Sequence, residues 1–451
     1  MKTRSFRSTT LLATLASLLA VASFAQSPGD VLWSVPLDLR AIMNAPAVGP
    51  DGTIYMHADD LKAIAPDGTV LWSVPLFGIE AVDVDASGTI YTGSIGTVNA
   101  YDPDGTLKWS FTEPPGGQGI MAGPTVGPDG NIYVVTDQGG LGAFSLTPQG
   151  DLRWNVPGFW DLEGRGESPV AMGSDRFYFA ESASTVPGCP HASGLLAAVS
   201  FDGDVLWCVG LTNPSRPRVA PNGNVYVSNA DSEIRAYTPD GSLAWFFDLP
   251  QVNSTVVGPS AGVGSQAYAF QVLNYLWAVG ADGSQLWETQ VPEGNALHPP
   301  TASPDGESLV FGAISGSPQF LGTVLALDAA TGVQQWATSL TEQNRRVTGP
   351  VAFSDDGSTV LAPVSTLQTS ELLALHVGAP QAALTLEVDG TCPGPTKLRV
   401  THAPPNSHVM VVAANNDQGC TKGGALCKGT QFEVGKPFQL PPTRLTANSS
   451  G

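Results

Sequence analysis

The feature that most constrains this chain is a decapeptide that returns along most of its length. AIAPDGTVLW (Ala63 to Trp72) recurs as AYDPDGTLKW (Ala100 to Trp109), AVSFDGDVLW (Ala198 to Trp207), AYTPDGSLAW (Ala236 to Trp245) and AVGADGSQLW (Ala278 to Trp287). Looser copies are AFSLTPQGDLRW, ending at Trp154, and ALDAATGVQQW, ending at Trp336. Apolar residues alternate on both sides of a tight turn, which is the pattern of an antiparallel hairpin. In Ala65-Pro66-Asp67-Gly68, Pro66 presets φ, Asp67 tolerates the second corner, and Gly68 can take the left-handed conformation of a type I turn with a bulge.

A second hairpin with the same punctuation precedes most copies: AVGPDGTIY (Ala47 to Tyr55), TVGPDGNIY (Thr125 to Tyr133) and RVAPNGNVY (Arg218 to Tyr226). Two hairpins per repeat make a four-stranded antiparallel sheet. A period of about 40 residues with four strands per unit is the signature of propeller blades. The blade-opening strand occurs eight times, at Ala45-Pro46, Ala81-Val82, Gly123-Pro124, Ser168-Pro169, Arg216-Pro217, Gly258-Pro259, His298-Pro299 and Gly349-Pro350. The first Trp strand, Val31-Leu32-Trp33, precedes any opening strand, and the last repeat stops at Glu371 to Val377 without one. Pairing Val31 to Val35 with Leu372 to Val377 closes the ring and leaves no unpaired edge.

The expected fold is therefore all-β: an eight-bladed β-propeller of four-stranded antiparallel blades over residues 27–378, followed by a small β domain. Trp33, Trp72, Trp109, Trp154, Trp207, Trp245, Trp287 and Trp336 are expected to pack between neighbouring blades, because a ligand platform would not need repeating in every one. The phrase, most fully ALDAATGVQQW, resembles the repeat of the pyrroloquinoline-quinone-like (BamB-type) β-propeller superfamily. That resemblance covers roughly Val31 to Val377. It implies either a non-enzymatic scaffold, such as the BamB-type component of outer-membrane protein assembly, or a quinone-dependent dehydrogenase.

Composition limits the partners. Formal net charge is −20, and it becomes more negative once Met1 to Ala25 is removed with Lys2, Arg4 and Arg7. Residues 1–25 read as a signal peptide: a basic start, the apolar run Leu11 to Ala22, and Ser23-Phe24-Ala25 before Gln26. The protein is thus expected to be exported, periplasmic or extracellular, with no nucleic-acid partner and no membrane span. A monomer is expected. The carboxylates mostly serve backbone geometry in Pro-Asp-Gly turns. Of five cysteines, Cys189 and Cys208 fall in one repeat and form a possible disulfide. Cys392, Cys420 and Cys427 lie in the C-terminal unit, residues 385–451, where TLEVDG, TKLRVTH and HVMVVAA alternate as strands and the pattern reads as incomplete at Gly451.

Candidate chemistry is sparse. Gly258-Pro259-Ser260-Ala261-Gly262 matches GxSxG, but it coincides with the sixth blade-opening strand rather than with the strand-to-helix elbow a nucleophile needs. Asp83 to Gly88 resembles the start of a calcium loop, yet its twelfth position is Ser94 and it aligns with a hairpin turn. The six histidines show no metal-ligand spacing. No catalytic, cofactor or metal residue is assigned, and no cofactor is expected; quinone with calcium belongs only to the dehydrogenase alternative.

Because Asp-Gly turns close both hairpins of a blade, they are expected on one face, with the variable connections on the other. Trp160, Glu163, Arg165, Glu167 and His191 in the fourth blade, with His298, Arg345 and Arg346, are the candidate binding residues there. The expected function is a non-catalytic binding or scaffold propeller for a protein or polysaccharide partner. The alternatives are a quinoprotein oxidoreductase and a secreted sugar-binding or adhesion protein.

Overall fold

The computed structural model describes residues 26–378 except 38–43, 59, 77–80, 95, 115–122, 137–140, 158–169, 182–187, 191–193, 251–255, 272–273, 293, 297, 316–320, 342–344 and 367. Beyond these it describes only the strands Thr385–Asp389, Lys397–Thr401, His408–Val411 and Thr443–Thr446, which form two two-stranded ladders. All regular structure among the described residues is β. No helix there is long and apolar enough to cross a membrane.

Eight antiparallel sheets follow one another along the chain. In blade 1 the order from the inside outward is Ala47–Val48, Ile54–His57, Asp60–Ile64 and Val70–Pro75. The two middle strands are buried on both sides, whereas the outer strand alternates exposed and half-buried residues. This difference follows from stacking sheets around an axis, which covers both faces of the middle strands and leaves the rim in water.

The turn chemistry appears as read. Gly68 N donates to Ala65 O at 2.9 Å, and Ala65 N to Thr69 O at 2.8 Å. Gly68 has φ +88°, and the ladder is bulged between Ala63 and Ile64.

The ring closes through the two ends of the propeller sequence. Val31–Leu37 pairs antiparallel with Ser370–His376, matching Val31 to Leu375, Val35 to Leu372 and Leu37 to Ser370. Gly29 N reaches His376 O at 2.6 Å, and His376 N reaches Asp30 O at 2.8 Å. The outermost strand of the last blade is thus the first strand of the chain.

Each repeat Trp fills the seam to the next blade. Trp33, Trp72, Trp109, Trp154, Trp207, Trp245 and Trp287 donate Nε1–H to Pro66, Pro103, Pro148, Phe201, Pro239, Ala281 and Ala329 O, at 2.8 to 3.1 Å. Each of these carbonyls lies in the second-hairpin turn of the following blade. The turn glycine sits against the indole: a methyl on Gly68, Gly105, Gly150, Gly203, Gly241, Gly283 or Gly332 would stand within 2.9 Å of the preceding ring. At the closure Gly29 plays this part against Trp336, but Trp336 Nε1 has no hydrogen-bond partner.

Blades 7 and 8 keep the four-strand plan with one variation. Their innermost strand is split, into Asn295–Ala296 and Thr301–Ala302 in blade 7 and into Arg346–Val347 and Ala352–Phe353 in blade 8. The breaks hold His298-Pro299-Pro300 and Gly349-Pro350. Proline cannot donate to the ladder, so it interrupts the strand at its entry.

Cys189 and Cys208 form the expected disulfide, with Cα atoms 5.6 Å apart, tying an inserted connection of blade 4 to its outer strand.

Candidate binding face

The tight turns share one face of the disc. A methyl on Gly52 would lie 3.4 Å from Pro66, on Gly88 3.1 Å from Pro103, and on Gly223 3.5 Å from Pro239, so first- and second-hairpin turns of one blade stand side by side. Between blades, Gly306 abuts Val263 and Gly357 abuts Pro304 in the same way. The strand ends from which the connections inside and between blades depart therefore point to the opposite face.

Of the candidate residues expected for that face, Trp160, Glu163, Arg165, Glu167 and His191 lie outside the described residues. His298, Arg345 and Arg346 are described, and they meet at the seam between blades 7 and 8. His298 Nε2–H donates to Thr348 O at 2.9 Å. Gly322 N of blade 7 donates to Arg345 O at 2.9 Å, and Thr301 Oγ1 donates to Val351 O at 2.9 Å. The loop entering blade 8 is thus pinned across its neighbour by backbone and side-chain bonds together.

The two arginines separate in role. Arg345 Nη2 pairs with Glu371 Oε1 at 2.6 Å, both side chains being mostly covered, whereas Arg346 is exposed. Thr348 Oγ1, Ser365 Oγ and Ser370 Oγ form a buried relay at 3.0 and 2.9 Å. Sequence reading missed Glu371, Ser365 and Ser370. They lie in regular strands of the last blade, and nothing in local spacing says that a strand end meets the connection entering the same blade. The residues present a rigid patch with one open cation rather than a nucleophile beside a base.

A second seam on this face is also locked. Glu113, buried at the end of the outer strand of blade 2, accepts Leu141 N of blade 3 at 2.6 Å through one carboxylate oxygen. Its other oxygen is buried without a hydrogen-bond partner.

The inner strands line the axis. Among those described, Asp83 is the one acidic residue, beside Arg218 and Arg346 as cations. Asp83 accepts Val126 N of the next blade at 2.8 Å and Val84 N at 2.9 Å. Burial pushes its carboxyl above the ordinary range; the two N–H groups oppose this, and nearby Asp85 adds to it. The calcium-like segment is a turn, as expected: Asp85 accepts Ser87 N, Thr89 N and the Tyr91 hydroxyl. Gly258-Pro259 sits inside the inner strand Val256–Ala261, so the GxSxG match is a blade strand.

The match to known proteins falls on this scaffold. A family model described as "Outer membrane protein assembly factor BamB" matches residues 20–157 and 192–365. The chain belongs to this family. Among solved structures, BamB from Moraxella catarrhalis superposes with a TM-score of 0.54 at 14% identity, covering 77% of this chain and 98% of that one. Quinohemoprotein alcohol dehydrogenase from Comamonas testosteroni superposes with a TM-score of 0.57 at 14% identity, covering 80% of this chain and 78% of that one. At such identities the likeness is one of fold. No curated protein sequence matches the chain.

A calcium-bound quinone, which the dehydrogenase branch of the superfamily implies, would need side-chain ligands grouped at one place, in the connections or among the described residues. No three His, Cys, Asp or Glu side chains among them are grouped to hold a metal ion. Asp83, the carboxylate on the axis, already takes two backbone N–H groups.

Proposed function

We propose that this protein is an exported, non-catalytic propeller that holds a partner protein of the cell envelope on its loop face. The observation that carries the reading is the division of labour between faces. Tight turns pack against one another on one side, while the longer connections leave from the other, where the seam of blades 7 and 8 is cross-linked and Arg346 stays exposed. A pre-formed surface on a rigid scaffold binds without an ordering cost. The family description, an outer-membrane assembly factor, supports a protein partner. Export is supported by the character of residues 1–25 and by the Cys189–Cys208 bond, since disulfides persist in oxidising compartments.

Site-specific photocross-linking tests this in cells. A cross-linker at Arg346 or Gln368 on the loop face should trap one discrete protein, the same linker at Asp240 on the turn face should not, and Arg346→Glu should abolish a Gln368 adduct. Equal labelling from both faces would overturn the assignment. Dye-coupled alcohol oxidation after reconstitution with pyrroloquinoline quinone and calcium would replace it with the oxidoreductase reading. Specific retention of a polysaccharide by the loop face would replace the protein partner.

A further inference from the structure

A cleft of about 520 Å³ opens on the turn face between blades 2 and 3, on the opposite side from the proposed partner surface. The repeats supply an internal control, because positions needed only for folding recur from blade to blade. Around this cleft several positions depart from the repeat together.

In the first-hairpin turn, Asp85 stands where blades 1 and 3 have Gly49 and Gly127, and Ser87 where they have Asp51 and Asp129. Asp85 has taken over the capping of the turn, receiving Ser87 N at 2.8 Å and Thr89 N at 2.9 Å. In the facing turn of blade 3, Gln149 stands where blades 1, 2, 4, 5 and 6 have Asp67, Asp104, Asp202, Asp240 and Asp282. Several of those aspartates cap their own turns, as Asp67 does for Thr69 N at 2.9 Å and Asp282 for Ser284 N at 3.0 Å. In blade 3 that task falls to Thr147 Oγ1, which receives Gln149 N at 3.3 Å and Asp151 N at 3.1 Å. The Gln149 side chain is exposed and has no part in capping.

Between the two turns lies Lys108, where blades 1 and 4 have Leu71 and Leu206 and blade 3 has another cation, Arg153. Its Nζ is steered by Asp102 Oδ1 at 3.3 Å and Thr89 Oγ1 at 3.2 Å. One wall is the half-buried Trp109, whose N–H is already satisfied by Pro148 O at 2.9 Å. The ring therefore offers only carbon surface to a ligand, beside the Gln149 amide, the Lys108 ammonium and the Ser87 hydroxyl, which gives its hydrogen to Asp85 Oδ1 at 2.6 Å and so meets a ligand as an acceptor.

We infer that this cleft is a binding site for a neutral oligosaccharide. An aromatic wall matches the apolar face of a pyranose, an amide and a hydroxyl match its hydroxyl groups, and the volume lies in the range of small-ligand pockets. Asp85 and Asp102, within a chain of net charge −20, disfavour a polyanionic sugar.

The test is titration of the whole protein with cellotetraose and with chitotetraose, read by calorimetry and saturation-transfer NMR, with tetragalacturonate as the anionic comparison. The site predicts saturable binding of at least one neutral tetrasaccharide. It further predicts a loss of about tenfold or more in Gln149→Ala and in Lys108→Leu, and much weaker binding of tetragalacturonate. Both substitutions lie on exposed side chains, and unchanged melting of the variants establishes that any loss is local. No binding of either neutral sugar at millimolar concentration, or binding undiminished in both variants, would overturn the inference. Neither result bears on the loop face.

Discussion

At the scale of single residues, the repeat Trp side chains are governed by one hydrogen bond and one contact. Trp245 donates to Ala281 O at 2.9 Å, whereas Trp277, outside the repeat register and packed on Phe247 at 6.0 Å, has a buried N–H without a partner. Replacing an indole by a phenyl ring removes similar volume in both cases, but at Trp245 it also breaks a hydrogen bond, whereas at Trp277 it removes a buried donor that has none. Trp245→Phe should therefore cost about 1 kcal/mol more than Trp277→Phe, measured by urea unfolding. Equal costs would show that the seam bonds contribute nothing.

Asp83 sets a pH dependence of opposite sign to the turn aspartates. Its folded pKa is raised by burial, so the folded state binds a proton more readily than the unfolded one, and the cost of its charge is relieved as pH falls through the folded pKa. Asp67, Asp104, Asp240 and Asp282 are held below the ordinary range by bonds from their own turns. What they contribute is present above the unfolded pKa of about 3.9 and lost as pH falls through the depressed values. The stability difference between the native protein and Asp83→Asn should accordingly change in favour of the native protein from pH 7 to pH 4. A constant difference in paired unfolding curves would contradict this.

At the scale of elements, turn and seam form one unit. Gly105 has φ +86°, and a methyl on it would stand 2.9 Å from Trp72. Gly130, in a first-hairpin turn, has φ +79° with nothing within 4 Å of such a methyl. Gly130→Ala should cost about 1 kcal/mol from backbone strain alone, and Gly105→Ala at least about 1 kcal/mol more, because the indole must move. Thermal melting of the two variants separates conformational strain from contact.

That unit was legible in the sequence because every blade needs it: Gly68, Pro66 and Trp33 each perform one physical task that recurs around the ring. The split inner strands of blades 7 and 8 were not legible. His298-Pro299 and Gly349-Pro350 mark the opening strand in sequence, but not the extra pairing of Asn295–Ala296 and Arg346–Val347 ahead of it. The cleft at Lys108 was equally hidden, since Asp85 and Gln149 each stand at a position that the other blades fill differently and meet Lys108 only through the stacking of blades.

At the scale of the whole molecule, the disc is rigid because it has no end. Within each blade the strands are sequence neighbours, and the exception is Val31–Leu37 on Ser370–His376. Removing residues 26–37 would leave an unpaired edge at Ser370–His376, a template for association with other chains. The truncated protein should unfold at lower temperature and self-associate in sedimentation, whereas reducing Cys189–Cys208 should leave the ring intact and loosen only the connection it anchors.

Amide hydrogen exchange of the native protein tests the closed ring most directly, through the peptide spanning residues 31–37. If the clasp is part of the last sheet, the alternate amides of this edge strand that bond to residues 370–376 open only with that sheet, and their exchange should be slowed to the same degree as that of residues 370–376. Rapid exchange of residues 31–37 beside a protected 370–376 would show that the first strand does not close the ring.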